Sequence, residues 1–113
     1  MAQIADLAAR QLAAYNAADL DAFVACYHED VQVMDGEEQT LRGRQAFRER
    51  YRELFEDWSF GAEVEQRLQL GVHCIDYERW WRIAPDSKQR EQGLVMVRYL
   101  GRDGLIGLVQ FLD

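Results

Sequence analysis

The sequence predicts an α+β domain in which helices cover one face of a curved antiparallel sheet. Helical periodicity fills the first half of the chain, two-residue alternation fills the second half, and short turn sequences separate the alternating segments. Helices followed by a meander of strands are typical of α+β proteins. The length of 113 residues suits one hydrophobic core, so we expect residues 1–113 to form a single domain.

Three helices are predicted before the long strands. Apolar residues recur at steps of three and four from about Gln3 to Tyr15, which indicates the first helix. Asp19 is a good N-cap for a short second helix. A short strand from Val31 to Met34 ends at the turn Asp35-Gly36, and the third helix follows Gly43.

Four alternating segments follow and are expected to form an antiparallel meander joined by hairpins. They are Trp58 to Leu70, Val72 to Ile83, Glu91 to Leu100 and Leu105 to Leu112. The third of them is apolar on both faces, although helices can cover only one face of the sheet. We therefore expect a homodimer formed through the outer face of the sheet.

Charge and composition exclude several classes of function. The formal net charge is -7, which disfavours binding to nucleic acid or to an anionic membrane. No apolar run is long enough for a membrane helix, and the first residues lack the features of a signal peptide, so a cytoplasmic protein is expected. Cys26 and Cys74 lie in apolar contexts and are predicted to be buried free thiols.

Three segments carry a resemblance to a known superfamily. They are QLAAYNAADLDAFVACYHEDVQVMD (Gln11 to Asp35), GRQAFRERYRELF (Gly43 to Phe55) and RDGLIGLVQFL (Arg102 to Leu112). Together they resemble the nuclear transport factor 2-like (NTF2-like, cystatin-like or SnoaL-like) superfamily, in particular its steroid Δ-isomerase-like members. The resemblance implies a cone-shaped fold whose curved sheet encloses a pocket for a small molecule.

The resemblance to ketosteroid isomerases implies roles for individual positions. Their proton-shuttling aspartate falls on Asp35, and a supporting tyrosine falls on Tyr51. The oxyanion-binding tyrosine falls on Gln11, and the oxyanion-binding aspartic acid falls on or near Val95. Gln11 would then be a weaker donor than a phenol, and Val95 would donate nothing.

The second long strand supplies further candidates for substrate binding. Comparison of the motifs places Tyr77, Arg79 and Trp81 on the inward face. There Arg79 would need a partner, which is either Asp35 or an acidic ligand. If Arg79 pairs with Asp35, the pKa of this carboxyl group falls and its value as a base falls too. The candidate pocket walls also include Tyr15, Tyr51 and Trp58.

The chain shows no motif for a metal, a cofactor or a nucleophile. His73 and Cys74 are adjacent on a predicted strand, so their side chains point to opposite faces and cannot bind one ion. No G-x-S-x-G segment and no glycine-rich phosphate loop is present. We therefore predict neither a metal site nor a cofactor.

Three functional hypotheses remain. In the first, Asp35 accepts a proton from a small apolar carbonyl compound, while Gln11, Tyr51 or Arg79 stabilises the oxyanion. In the second, the chain is a non-catalytic module that binds a small apolar or weakly acidic molecule, with Asp35 neutralised by Arg79. In the third, it is a dimerisation module whose pocket is filled by Trp58 and Trp81.

Overall fold

The computed structural model describes residues 3–112, which form three helices and one six-stranded sheet. The elements are α1 (Ile4–Asn16), α2 (Leu20–Val24), β1 (Tyr27–Asp35), β2 (Glu38–Arg42), α3 (Arg44–Asp57), β3 (Ser59–Leu70), β4 (His73–Ile83), β5 (Arg90–Arg102) and β6 (Leu105–Leu112). The α+β class is thus confirmed. The short β2 was not predicted, because its sequence EQTLR is polar and does not alternate.

The sheet is mixed rather than antiparallel throughout. Its strand order is β2-β1-β6-β5-β4-β3, and β1 runs parallel to β6 whereas every other neighbouring pair is antiparallel. The prediction of an antiparallel sheet holds for the meander from β3 to β6 and is wrong for the β1–β6 pair. Irregular register in β1, β3 and β5 accompanies the curvature, because bulges bend and twist a strand.

The helices lie on the concave face of the sheet, but they are not all N-terminal to it. The predicted N-cap of α2 is present, since the Asp19 carboxylate accepts a hydrogen bond from the backbone of Ala22 at 3.1 Å. This short helix packs against α1 and α3, whereas α1 and α3 also contact the strands. α3 follows β1 and β2 in the chain, so two strands precede the third helix.

Aromatic side chains fill the space between the helices and the sheet. Tyr15 contacts Phe23, Phe55 and Phe60, and Phe23 stacks on Phe47 with ring centroids 5.5 Å apart. At the end of α1, the side-chain amide of Asn16 bonds both backbone groups of Ala62 in β3, at 2.8 and 2.9 Å. This bridge ties α1 to the edge of the sheet.

The opposite, convex face of the sheet presents apolar side chains to solvent. Leu68 of β3 is 70% exposed, and Leu94 and Met96 of β5 are 52% and 43% exposed. Their pairing with odd-numbered residues of β4 places all three on this face. The two predicted free thiols are confirmed as buried, and burial raises the pKa of each. Within residues 3–112, no helix is long and apolar enough to cross a membrane.

Candidate functional site

A central pocket opens between the helices and the concave face of the sheet. Its volume is about 330 Å³, at the lower end of the range for ligand pockets. Its walls are mainly aromatic and aliphatic, with a few polar groups among them. The lining residues are Gln11, Leu12, Tyr15, Phe23, Tyr27, Phe47, Tyr51, Leu54, Ala62, Glu78, Trp80, Arg82, Val95, Val97, Tyr99, Val109 and Phe111.

Glu78 on β4 is a buried carboxyl group in this pocket. Its side chain is 8% exposed, and its Oε1 atom is buried without a hydrogen-bond partner in the described part of the chain. Burial raises the pKa of Glu78 to about 7, and the negative charge of Asp76 adds to the effect. The charge of Arg67 and a hydrogen bond with Tyr99 act in the opposite direction.

A chain of hydrogen bonds leads from β1 to Glu78. The Tyr27 hydroxyl group donates to Gln11 Oε1 at 2.8 Å, and Gln11 Nε2 donates to the Tyr99 hydroxyl oxygen at 3.1 Å. The same amide nitrogen also donates to the carbonyl oxygen of Ala8, at 3.0 Å. Because Tyr99 accepts from Gln11, its own hydrogen is free to be donated to Glu78.

Two further tyrosines, Tyr51 and Tyr15, line the same pocket. Burial raises the pKa of Tyr51 to about 12, and the charge of Glu78 contributes to the rise. The pKa of Tyr15 is also raised, mainly by burial and then by Tyr51 and Glu78. Both hydroxyl groups therefore stay protonated at neutral pH and can serve as hydrogen-bond donors inside the pocket.

A buried ion pair lies beside Glu78 on the same face of β4. Asp76 is fully buried and accepts two hydrogen bonds from Arg67 of β3, at 2.7 and 2.9 Å. This bidentate geometry is the strong form of an Arg–carboxylate contact. Because Asp76 is occupied by Arg67 in this way, Glu78 is the carboxyl group of β4 that can interact with a ligand.

Arg82 lies at the mouth of the pocket. Its guanidinium group lies over the rings of Trp58 and Trp80, 5.4 and 5.5 Å from their centroids. Its Nε atom donates to the Glu91 carboxylate at 2.5 Å. Trp58, a predicted pocket wall, is not among the residues that line the pocket, and its ring contacts Arg82.

Asp35 lies at the rim of the pocket and is exposed. Register pairs it with Phe111 of β6, which lines the pocket, so both side chains share the concave face. The following turn is held by two hydrogen bonds, from Gly36 to the Phe111 carbonyl at 2.9 Å and from the Gln110 amide to the Gly36 carbonyl at 2.8 Å.

Four of the residues predicted to bind substrate line the pocket: Gln11, Tyr15, Tyr51 and Val95. Both N–H groups of Gln11 and its carbonyl oxygen are engaged in the bonds described above, so this amide supports Tyr99 and Tyr27. Val95 pairs with Glu78 across β4 and β5 and forms part of the apolar wall.

The predicted orientation of β4 is wrong. Tyr77, Arg79 and Trp81 lie on the convex face, whereas Glu78 and the other even-numbered residues face the helices. Arg79 does not pair with Asp35; its Nε atom donates to Glu65 of β3 at 3.0 Å. Trp81 packs its ring over Gly61 on the same outer face, so it does not fill the pocket.

Several pocket residues were not predicted from the sequence, among them Glu78, Trp80, Arg82 and Tyr99. Hairpin register was the available signal, because the turn around Asp86 and Ser87 pairs Val95 with Glu78. Paired residues share a face, so an inward Val95 requires an inward Glu78. In residues 3–112, no three His, Cys, Asp or Glu side chains are grouped so that they could hold a metal ion.

Comparison with protein families shows to which family the chain belongs. Residues 8–107 match the SnoaL-like domain family. The chain belongs to this family. The expected place of this SnoaL-like domain in the NTF2-like superfamily is thereby confirmed. A comparison with curated proteins gives no match.

Solved structures share the whole fold of this SnoaL-like domain. An uncharacterised cystatin-fold protein from Novosphingobium aromaticivorans has a TM-score of 0.86 at 22% identity, with 100% of both chains covered. An LEH-like epoxide hydrolase of M. tuberculosis has a TM-score of 0.84 at 18% identity, with 96% of this chain and 80% of that chain covered. A Pseudomonas putida protein assigned as a polyketide cyclase has a TM-score of 0.85 at 17% identity, with 100% and 92% covered.

Proposed function

We propose that this SnoaL-like domain is an enzyme that moves a proton on a small apolar carbonyl compound without a cofactor, with Glu78 as the proton-accepting group. The observation that carries the proposal is the free, buried Oε1 atom of Glu78 in an apolar pocket. A general base works best when its pKa lies near the working pH, and the pKa of Glu78 is about 7.

The pocket supplies the other groups that such a reaction needs. Removal of a proton from the carbon next to a carbonyl group leaves an enolate, whose negative charge lies on oxygen. Tyr51 and Tyr15 line the same pocket as Glu78, and their protonated hydroxyl groups are donors for this oxygen. Glu78, now protonated, returns its proton to carbon, so its carboxylate is regenerated and nothing is consumed.

The structural neighbours support a reaction on a small organic molecule. The M. tuberculosis neighbour is an epoxide hydrolase, and the P. putida neighbour is assigned as a polyketide cyclase. Both names denote chemistry on compounds that a pocket of about 330 Å³ can hold in whole or in part. At identities below 25%, these neighbours show a shared fold and not a shared catalytic residue. The choice of the base therefore rests on the burial and the free oxygen atom of Glu78.

Asp35 is the competing base. It shares the concave face at the pocket rim, but its side chain is exposed to solvent. An exposed carboxylate is not held against an apolar substrate away from water, whereas Glu78 is buried in the pocket wall. We therefore assign the transfer to Glu78 and give Asp35 a structural place in the turn between β1 and β2.

Hydrogen–deuterium exchange tests this assignment. Acetophenone and cyclohexanone are incubated with the protein in D₂O, and loss of the signals from their exchangeable C–H groups is followed by proton NMR. Glu78→Gln should slow protein-catalysed exchange by a factor of about 100 or more. Asp35→Asn and Glu65→Gln, the latter a carboxylate on the outer face, should leave the rate within about twofold.

Two results would count against catalysis by Glu78. If the exchange rate is unchanged in Glu78→Gln and exchange is lost in Asp35→Asn, the base is Asp35 at the pocket rim. Binding of the ketones without any exchange would support the non-catalytic binding module, which shares the same pocket.

We also propose that the outer face of the sheet binds a second copy of the chain. The face carries exposed Leu68, Leu94 and Met96 beside the oppositely charged pair Arg79 and Glu65. A two-fold axis through such a face can bring apolar side chains together and each charge near its opposite on the other copy.

A further inference from the structure

Arg82 is a cation that the proposed proton transfer does not use. It lies on the pocket side of β4, and its guanidinium group contacts the rings of Trp58 and Trp80, at 5.4 and 5.5 Å from their centroids. An arginine on aromatic rings keeps a defined orientation while its charge stays available. The position of the group is therefore set before any ligand arrives.

The guanidinium group still has donors to offer. Its Nε atom is occupied by Glu91, whereas the two terminal nitrogens are not used in this contact. The Arg82 side chain is 46% exposed, so a ligand can approach it from the pocket mouth. Terminal nitrogens of arginine match the spacing of a carboxylate.

Glu78 and Arg82 mark two ends of one wall. They are four residues apart on β4, which is about 13 Å along a strand. Trp80 lies between them on the same face, and Val95 of the paired strand adds to the apolar wall. A ligand with one polar group at each end and an apolar body in the middle fits this order.

We propose that Arg82 forms an anion subsite, and that the substrate is a small keto acid whose carboxylate binds there. Its apolar body lies along Trp80 and its ketone end reaches the inner pocket. The assignment of the ketone end rests on the proposed function of Glu78. The carboxylate subsite stands on Arg82 alone and is testable without turnover.

Binding of a matched pair of compounds tests the subsite. The probes are 8-oxononanoate, which has a ketone and a carboxylate at opposite ends of an apolar chain, and its methyl ester, which lacks the charge. Dissociation constants are measured by calorimetry at low salt. The wild type should bind the acid about tenfold more tightly than the ester. Arg82→Gln should bring the ratio to about one, and Arg82→Lys should give an intermediate ratio.

Arg79→Gln is the matched control. Arg79 lies on the same strand and also has a glutamate partner, but it points to the outer face. Its replacement should leave the preference for the acid unchanged. Equal binding of acid and ester by the wild type, a preference that survives in Arg82→Gln, or no binding of either probe at 10 mM (a ceiling about tenfold above a millimolar affinity) would each overturn the subsite.

A Glu78→Gln variant separates this inference from the proposed function. It lacks the proton acceptor but keeps Arg82, so it should retain the preference for the acid. Retained preference with no exchange of the ketone C–H groups in the wild type would reject the proposed reaction and leave the subsite standing. Exchange of the ketone C–H groups without a preference for the acid would support the proposed reaction and reject the subsite.

Discussion

The side-chain amide of Gln11 donates to the hydroxyl oxygen of Tyr99 at 3.1 Å, and this bond sets the direction in which Tyr99 donates. Since Gln11 Nε2 also donates to the Ala8 carbonyl, the amide cannot be turned around without losing that bond. Gln11 Oε1 must then accept from Tyr27. The Tyr99 hydrogen is thus directed away from Gln11 and lowers the pKa of Glu78, whose Oε1 atom is buried without a partner in the described part of the chain.

Replacing Gln11 with Leu should destabilise the protein by about 2 kcal/mol, because two buried tyrosine hydroxyl groups lose their partner. Urea unfolding followed by circular dichroism measures the change. Gln39→Leu is the control, since Gln39 is an exposed glutamine on β2. An equal effect of both substitutions would mean that the hydrogen-bond chain adds little to stability.

Glu78 should make stability depend on pH in a defined direction. Its pKa is about 7 in the folded protein, whereas the ordinary value is 4.5. Between these values the folded state holds a proton that the unfolded chain has released, so the free energy of unfolding falls as pH rises through this window. The full loss is on the order of 3 kcal/mol.

Urea unfolding at a series of pH values measures this dependence. Glu78→Gln removes the titrating group, so the wild type should lose stability relative to this variant between about pH 4.5 and pH 7. A difference between the two proteins that stays constant across the window would contradict the raised pKa of Glu78.

Asp76 and Arg67, the ion pair beside Glu78, should shift the pKa of Glu78 in opposite directions. Asp76→Asn removes a negative charge and should lower the pKa of Glu78, whereas Arg67→Gln removes a positive charge and should raise it. Carbon-13 NMR of the Glu78 carboxyl group reads both shifts. Each substitution also breaks a buried pair and should cost about 3 kcal/mol of stability, so the titrations are made well below the melting temperature.

Gly93 should be needed for the position of Trp80. A Cβ atom at Gly93 would lie 3.0 Å from the Trp80 ring, whereas one at Gly101 of the same strand would meet nothing closer than 3.7 Å. Gly93→Ala should therefore displace the indole ring from the pocket wall and destabilise the fold by about 1–3 kcal/mol. Gly101→Ala is the control. Tryptophan fluorescence reports the position of the ring, and thermal melting reports stability. An equal effect of both substitutions would mean that Gly93 is not needed for the position of Trp80.

Charges on the outer face should break the proposed dimer. Leu94→Glu and Met96→Glu place a charge in the apolar area, so light scattering coupled to size-exclusion chromatography should report a monomer. Val72→Glu changes an exposed apolar residue in the turn between β3 and β4 and should leave the dimer intact. A wild-type monomer at 100 μM, about a hundredfold above a micromolar dissociation constant, would reject the proposal.

Local signals predicted much of the fold. The periodicity from Gln3 to Tyr15 corresponds to α1, and Asp19 caps α2 as expected. Both predictions depend on neighbouring residues alone. The parallel pairing of β1 with β6 could not be read in this way, because it joins residues more than 70 positions apart, such as Val33 and Val109.

The face of β4 was predicted wrongly for a physical reason. Its pocket side carries Asp76, Glu78 and Arg82, while its exposed side carries Tyr77 and Trp81. The comparison of motifs placed Tyr77, Arg79 and Trp81 inward, and the rule that apolar side chains point inward does not correct this, because the charged side of β4 is the one that faces the helices. Such reversals are expected where a protein places charge in its interior for function.

The parallel β1–β6 contact has a consequence for how the molecule is made. The β1–β2 hairpin joins the rest of the sheet through β6. Until β6 has left the ribosome, the hairpin lacks its sheet neighbour, and the pocket wall formed by Val109 and Phe111 is missing. Long-range pairings of this kind slow folding, so we expect the nascent chain to hold β3, β4 and β5 as an early meander and to close the pocket in its last folding step.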